Sequence, residues 1–195
     1  MTNRIDIMVD IETLGNKMDS TIIQLAAMAF DIKKGKTLHE FNQVADIEKN
    51  ENRINVTGST LEWWMRTNKE LFSELLNSGE YSSEDLIRAF HNWIKDIKRI
   101  YGEGETDFYL WGNGILFDNA MIRHQMESLK LEYPIFYRND RDVRTIVDLA
   151  GAKSGLSEKE LKSKFNDELL VAHNAFDDVV YQIGLVSGCY NMLIK

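Results

Sequence analysis

Two carboxylic acids one residue apart, Asp10 and Glu12, close an apolar run that begins at Ile5, and Gly15 follows them. Residues i and i+2 of a strand point to the same face. Two carboxylates side by side raise each other's pKa unless a cation lies between them. Hard divalent cations such as magnesium take oxygen ligands of this kind. Asp-x-Glu alone is weak evidence, because the chain repeats it at Asp46 and Glu48 inside a polar stretch (EKNENRIN) that reads as surface. A third acid, Asp118, follows Trp-Gly-Asn-Gly-Ile-Leu-Phe, where a buried strand gives way to a helix. Gly112 and Gly114 leave room there for a ligand to approach the backbone. An ordinary helix N-cap explains Asp118 in isolation. His173 and Asp178 lead into the last helix. His173 lies in a loop, where a general base is useful, and Asp178 in a first turn, where the helix dipole favours a carboxylate. The same His-x₄-Asp spacing recurs at His91 and Asp96, and His39, His91 and His124 read as structural.

These residues need elements to hold them. The N-terminal third predicts three strands: Ile5 to Ile11, the run Thr21 to Ile32, and Thr37 to Ala45 after a Lys-Lys-Gly-Lys turn. Short connections make them an antiparallel meander. The middle turns helical. Ser59 and Glu62 fit a capping box for a helix through Leu61, Trp64 and Met65, and Leu71, Leu75 and Leu76 continue its stripe. Ser83 opens a longer helix with Leu86, Phe90, Trp93, Ile94 and Ile97 at helical spacing, ended by Gly102 and Gly104. Phe108 to Trp111 reads as a short strand, Asn119 to Leu129 as a helix and Ile135 to Tyr137 as another short strand. Asp142 caps a helix from Val143 to Ala150, a short helix covers Glu158 to Phe165, and a long one runs from Ala175 to Leu193. This order predicts an α/β chain of three layers, one domain over residues 1–195, with a mixed sheet covered by helices.

Composition bounds the rest. Hydrophobic residues are 44 % of the 195, enough for a sizeable core, and no apolar run is long enough to span a bilayer. The N-terminus lacks the blocks of a signal peptide, and the single Cys189 reads as a buried free thiol, so a cytoplasmic protein is expected. The net charge of −8 argues against a general nucleic-acid binder. It does not argue against a nuclease, whose metal ions reverse the local sign of an acidic site. Lysine and arginine clusters at 33–36, 95–99, 138–144 and 159–164 each read as solvated faces.

Taken together, the three blocks resemble the DEDDh 3′→5′ exonucleases, the group that includes ribonuclease T, oligoribonuclease and polymerase proofreading subunits. The matching residues are Asp10-Ile-Glu12-Thr13, Asn113-Gly-Ile-Leu-Phe117-Asp118 and His173-Asn-Ala-Phe-Asp-Asp178, in the family's order and spread over nearly the whole chain. Within that group, Asp-Ile-Glu-Thr-Leu-Gly and Leu-Glu-Trp-Trp-Met are most similar to phage exonuclease A and the mycobacterial-type exoribonuclease subgroup. Many relatives carry a second threonine where Leu14 stands.

The resemblance implies a ribonuclease-H-like fold with a mixed five-stranded sheet, the first three strands antiparallel and the rest parallel, and helices on both faces. It implies two magnesium or manganese ions held by Asp10, Glu12, Asp118 and Asp178. Asp10 bridges them, and His173 takes the proton of the attacking water. An imidazole, which changes charge near neutral pH, suits that task. Asp178 rather than its neighbour Asp177 is the ligand, being the fifth residue after the histidine. Thr13, Leu14 and Asn113 are expected beside the terminal nucleotide, with Leu14 as an apolar wedge. Of the adjacent Trp63 and Trp64, one can stack on a base, and Trp64 is the expected one. Arg141 and Arg144 lie near the expected cleft and can reach phosphate. The expected partner is the 3′ end of single-stranded DNA or RNA, in the cytosol of a bacterium or a phage-infected host, and relatives are often homodimers. Two other readings fit the residues: a magnesium-dependent phosphohydrolase of short oligonucleotides or nucleotides, and a non-catalytic nucleic-acid-binding module of the same fold.

Overall fold

Alternation along the first strand decides the layering. In a computed structural model that describes residues 3–50, 54–102, 104–165 and 169–195, β1 (Asn3–Thr13) lies at the centre of a five-stranded sheet of order β3-β2-β1-β4-β5. Residues 51–53 of the polar stretch around Asp46 lie outside the described residues. β2 (Ile22–Asp31) pairs antiparallel with β1, and β3 (Lys36–Val44) antiparallel with β2. β4 (Thr106–Gly112) and β5 (Asp140–Asp142) continue the sheet in parallel. This is the ribonuclease-H-like architecture expected from the sequence.

Ile7, Val9 and Ile11 point to one face. There they pack with Leu86, Phe90 and Ile94 of α3 (Ser83–Tyr101) and Met121 and Ile122 of α4 (Asp118–Ser128). Met8 points to the other face, against Val147 of α5 (Val143–Ser154) and Val179, Ile183 and Val186 of α7 (Ala175–Ile194). Asp10 and Glu12 share the parity of Met8, so the period of two sends them toward α7. Asp6 has the same parity. It is fully buried, forked by Arg4 at 2.7 Å and bonded by Trp111 Nε1 at 2.7 Å. That network pins β1 to β4 at the end of the strand far from Asp10.

Two short helices, α1 (Gly58–Thr67) and α2 (Lys69–Ser78), cover the end of β1. They enclose a third apolar cluster of Leu14, Ile23, Trp64, Leu71, Phe72 and Leu75. The capping box at Ser59 does not form, because the helix begins earlier. The Thr57 N–H is held by the Leu14 carbonyl at 2.9 Å, and the Thr57 carbonyl accepts from Thr60 and Leu61. Thr57 is therefore the N-cap, without a side-chain bond. Nor does one helix run on through Leu71: Asn68 interrupts it and caps α2 through the Leu71 N–H. The sixth helix, α6 (Glu158–Lys164), has a complete capping box between Ser157 and Glu160.

The fifth strand is displaced from its expected place. Ile135 to Tyr137 is not extended sheet: Ile135 drops into the core while Phe136 and Tyr137 stay exposed. The strand is instead Asp140–Asp142, delivered by Asn139, whose carbonyl accepts from the Leu110 N–H and whose Nδ2 donates to the Phe108 carbonyl. Asp142 then caps α5 as anticipated, accepting from the Thr145 N–H. Among the described residues no helix is long and apolar enough to cross a membrane.

Trp64 is the side chain that ties α1 to the end of β1. It stacks on Phe72 with centroids 5.1 Å apart and donates Nε1–H to the Thr13 carbonyl at 3.0 Å. Replacing it by alanine should remove about 3–5 kcal/mol of stability, as for other buried aromatics, read from urea unfolding monitored by far-UV circular dichroism. A loss below about 1 kcal/mol, the level of an ordinary surface change, would contradict its role as an anchor.

Candidate active site

β1 outruns β4. The last paired residue of β1 on that side is Met8, opposite Trp111, so Asp10 to Thr13 stand past the end of the parallel pair. A crevice at the carboxyl ends of parallel strands is where ligands settle in open α/β sheets. Asp10 and Glu12 enter it from β1. Asp118 enters from the first position of α4, with Phe117 as the N-cap, so Asp118 is not itself a cap. Asp178 enters from the first turn of α7, and His173 from the loop before it.

The acids are close enough to act on one another. Asp10 is half-buried, and desolvation first, then the charges of Asp118 and Asp178, push its pKa well above the ordinary carboxylate range. Glu12 is pushed up in the same way by burial and then by Asp10, Asp178 and Asp118. Burial raises Asp118 to about 7, against backbone N–H bonds from its own amide and from Ile11 and against the charge of Arg144. Asp178 is raised by burial, opposed by the His173 backbone N–H that donates to its Oδ2 at 3.0 Å. Ligand atoms of Glu12, His173 and Asp178 all lie within 4.8 Å of one another. Every one of these shifts is upward, with desolvation as the largest cause and the charges of Arg144 and His173 opposing it only in part. A set of carboxylate oxygens in that condition suits hard divalent cations.

Supports for the site come from residues that the sequence did not single out. Gln182 lies one helical turn beyond Asp178, and its Nε2 donates to Asp10 Oδ1 at 2.9 Å. Gln24, opposite Glu12 on β2, accepts the Ala175 N–H at 3.1 Å and donates to Asn174 Oδ1 at 3.3 Å. Asn174 caps α7 through the Phe176 N–H. Thus a strand side chain holds down the helix end that carries Asp178. The i+4 spacing from Asp178 could have flagged Gln182; nothing local flagged Gln24. Asp177 turns away from the acid cluster and accepts the Val171 N–H at 2.8 Å. His173 has a left-handed backbone, φ +68°, a conformation uncommon for a residue with a Cβ.

The glycines are explained by the same crowding. A Cβ at Gly112 would collide with Asn119 Oδ1 and press on Asp118. Gly114 has φ +129°, and a Cβ there would lie 3.3 Å from Arg144 Nη2. Arg144 therefore rests on the Gly114 backbone at the rim.

Three of the expected substrate contacts change. Trp64 is only 1 % exposed, so neither ring face can receive a base. Trp63 is the tryptophan at the site: it is 40 % exposed and meets the His173 ring edge-on, centroids 4.8 Å apart. Leu14 is not a wedge, because it is buried in the cluster around Trp64. The Thr13 hydroxyl is committed to the Gly15 carbonyl at 2.6 Å, which fixes the turn after β1. Asn113 stays half-buried in the loop beside Asp118.

A ribonuclease-H-like sheet with acids at the end of its central strand and at two helix starts, and a histidine beside them, defines the DEDDh class of 3′→5′ exonucleases. The chain belongs to the family described as the 3′-5′ exoribonuclease Rv2179c-like domain, whose model matches residues 5–190. It is 26 % identical over 168 residues to an exodeoxyribonuclease of Enterobacteria phage T4, covering 73 % of this chain and 70 % of that one. Solved structures share the fold at low identity. Cell-death related nuclease 4 superposes with a TM-score of 0.67 at 15 % identity, over 98 % of this chain and 66 % of that one. The nuclease domain of 3′hExo bound to rAMP gives 0.61 at 12 %, over 96 % and 92 %. E. coli exonuclease I in complex with single-stranded DNA gives 0.62 at 15 %, over 95 % of this chain but 40 % of that one.

The raised carboxylates fix a pH dependence. An acid whose folded pKa exceeds its unfolded value leaves the folded state with more bound protons, so stability falls as pH rises through the interval. For Asp118 that interval runs from the ordinary 3.8 to about 7. In chelator the melting temperature should fall between those limits, and millimolar magnesium or manganese should restore it at neutral pH. Asp118→Asn should flatten the metal-free decline. A melting temperature that climbs over this range without metal would show that the acids do not repel one another.

Proposed function

We propose that this exonuclease hydrolyses the terminal phosphodiester at the 3′ end of a single-stranded nucleic acid and releases nucleoside 5′-monophosphates, using two magnesium or manganese ions. The observation that carries the reading is the meeting of four mutually destabilised carboxylates, from β1, α4 and α7, with an imidazole next to two of them. Asp10, Glu12, Asp118 and Asp178 would hold the ions. When bound, the ions supply compensating charge and stabilise the attacking and leaving oxygens of the displacement.

The other parts of the reaction belong to the chain. His173 accepts the proton of the attacking water, at the position where its ring faces Glu12 and Asp178. Its backbone N–H on Asp178 and its ring edge against Trp63 limit how far it can swing. Gln182 orients the Asp10 carboxylate by donating to its Oδ1. Trp63, half open beside the histidine, offers the ring on which a terminal base can stack, a contact worth ~1–3 kcal/mol. Arg144 stands at the rim where a backbone phosphate would pass.

With a 5′-labelled single strand, the wild-type protein should give a metal-dependent ladder that a 3′-phosphate block abolishes. Asp10→Ala should leave no digestion above background, and His173→Ala should slow it by about 10²–10⁴, the usual weight of a general base. Unimpaired digestion of the blocked strand would refute end-dependent cleavage, and full activity of Asp10→Ala would refute the site.

Trp63→Ala should lower affinity for the strand about tenfold, one stacked base being worth ~1–3 kcal/mol. The same change should leave urea stability within about 0.5 kcal/mol, as expected of a half-exposed residue. Unchanged affinity would show that no base stacks on Trp63.

A further inference from the structure

At the other end of the sheet lies a concavity of about 780 Å³, lined by Lys95 and Lys98 of α3, Lys130 just after α4, and Phe136 and Tyr137 of the loop that leads to β5. Its chemistry is unlike that of the chain as a whole. The protein carries a net charge of −8, yet these walls bring three lysines together with one acid, Glu132.

The cations are placed, not merely present. Lys98 donates Nζ–H to the Pro134 carbonyl at 2.9 Å and lies 5.9 Å from the Phe108 ring centroid. Lys130 occupies the turn that ends α4 with φ +58°, a position where glycine is the usual residue. Its N–H donates to the Glu127 carbonyl and the next N–H to the Met126 carbonyl, so this conformation belongs to the helix stop. A lysine kept where the backbone favours glycine breaks a local rule, and such breaks gather at functional surfaces.

The rings are equally out of place for a solvated loop. Phe136 and Tyr137 are 59 % and 60 % exposed and meet edge-on with centroids 4.7 Å apart. Arg138 lies 5.2 Å from the Tyr137 ring centroid. Open aromatic faces beside fixed cations are the combination that holds single strands without reading their sequence.

Distance separates this groove from the acids. Lys98, Pro134 and Phe136 also border Thr106 and Phe108 at the start of β4, which pair with Asn3 and Ile5 at the start of β1. Asp10 and Glu12 lie five and seven residues further along that strand, roughly 17–23 Å at ~3.3 Å per residue. The groove cannot touch the terminal nucleotide.

We propose that this basic, aromatic groove is a second binding site for single-stranded nucleic acid, which holds the 5′-ward part of the strand whose 3′ end occupies the carboxylate site. The phosphates lie along Lys95, Lys98 and Lys130, and bases rest on Phe136 and Tyr137. Only the assignment of direction, 5′-ward, rests on the exonuclease reading.

The test uses binding and turnover separately. Fluorescence anisotropy in chelator measures affinity for 3′-blocked strands of about 4 and about 16 nucleotides, the span of typical single-strand sites. The probe protein is the full chain, as wild type and as the double variant K95E/K130E, with Y137A as a second, uncharged lesion. Lys95, Lys130 and Tyr137 are all exposed, so each variant should fold. Wild type should bind the longer strand at least tenfold more tightly. K95E/K130E should cancel that advantage and lower the salt slope by about 0.7 for each phosphate no longer neutralised. Y137A should weaken the longer strand several-fold with no change in slope. With magnesium, hydrolysis of the short strand bearing a free 3′ end should keep its kcat/KM in both variants. Equal affinity of wild type and variants for the longer strand would overturn the proposal, as would no preference for length. Loss of binding in the variants of a protein that digests neither strand even with a free 3′ end would uphold the groove and refute the exonuclease reading instead.

Discussion

Four carboxylates drawn into a crevice with little water repel one another, and much of the surrounding structure exists to hold them there. Burial is the first cause of each upward shift, ahead of the neighbouring charges. The hydrogen bonds that the acids accept, from Gln182 and from the backbone of Ile11 and His173, orient them and leave much of the repulsion in place. An arrangement built to be stable on its own would have placed an arginine between them. At Asp6 the chain does so: that acid, fully buried, is forked by Arg4 and bonded by Trp111. Two acids on one face of one strand thus meet opposite treatment. One has its counter-charge built in, and the other accepts from the neutral Gln182 amide while Asp118 and Asp178 crowd it.

The period of the strand joins these two sites. Arg4, Asp6, Met8, Asp10 and Glu12 alternate with Ile5, Ile7, Val9 and Ile11, and only the second set reaches the core under α3 and α4. A slip of one residue in register would bury acids against Phe90 and Ile94 and turn isoleucines into the crevice. The apolar clusters on the two faces therefore specify the placement of the acids as firmly as the fold. Trp64 does the same at the far end, because the carbonyl it holds belongs to Thr13, the residue after Glu12.

What the sequence made legible follows this division. The acids and the histidine could be named because each stands at a boundary with a strong local signature: an apolar run that stops, a glycine-bracketed turn, a helix start. The sheet order followed from the resemblance and from the lengths of the connections. The fifth strand escaped because Asp140-Arg141-Asp142 is short and polar and is placed by Asn119 and Asn139, side chains distant in sequence from their partners. The apolar Ile135 to Tyr137 beside it looked more like a strand, though two of its three side chains face solvent. Trp63 and Trp64 could not be told apart by type. Helical spacing did separate them, since Trp64 lies three residues beyond Leu61 on the buried stripe and Trp63 does not. The capping box at Ser59 was a true local preference overridden by the bond between Thr57 and Leu14.

The helix that carries Asp178 shows how far such positioning depends on partners distant in sequence. Gln24 is central in the sheet and 1 % exposed, and it makes no direct bond to any of the acids. Yet it accepts the first helical N–H of α7 and bonds the Asn174 cap, so the first turn of that helix cannot lift from the sheet without leaving the Gln24 Oε1 unpaired. An unpaired buried amide costs roughly 1–3 kcal/mol. That cost opposes the outward push that repulsion from Asp10 and Glu12 exerts on Asp178. His173, just before the cap, is held in its left-handed turn by the same first turn of helix, through Asp178 Oδ2. His173 and Asp178 are therefore positioned as one unit, and the strand opposite Glu12 sets where that unit stands.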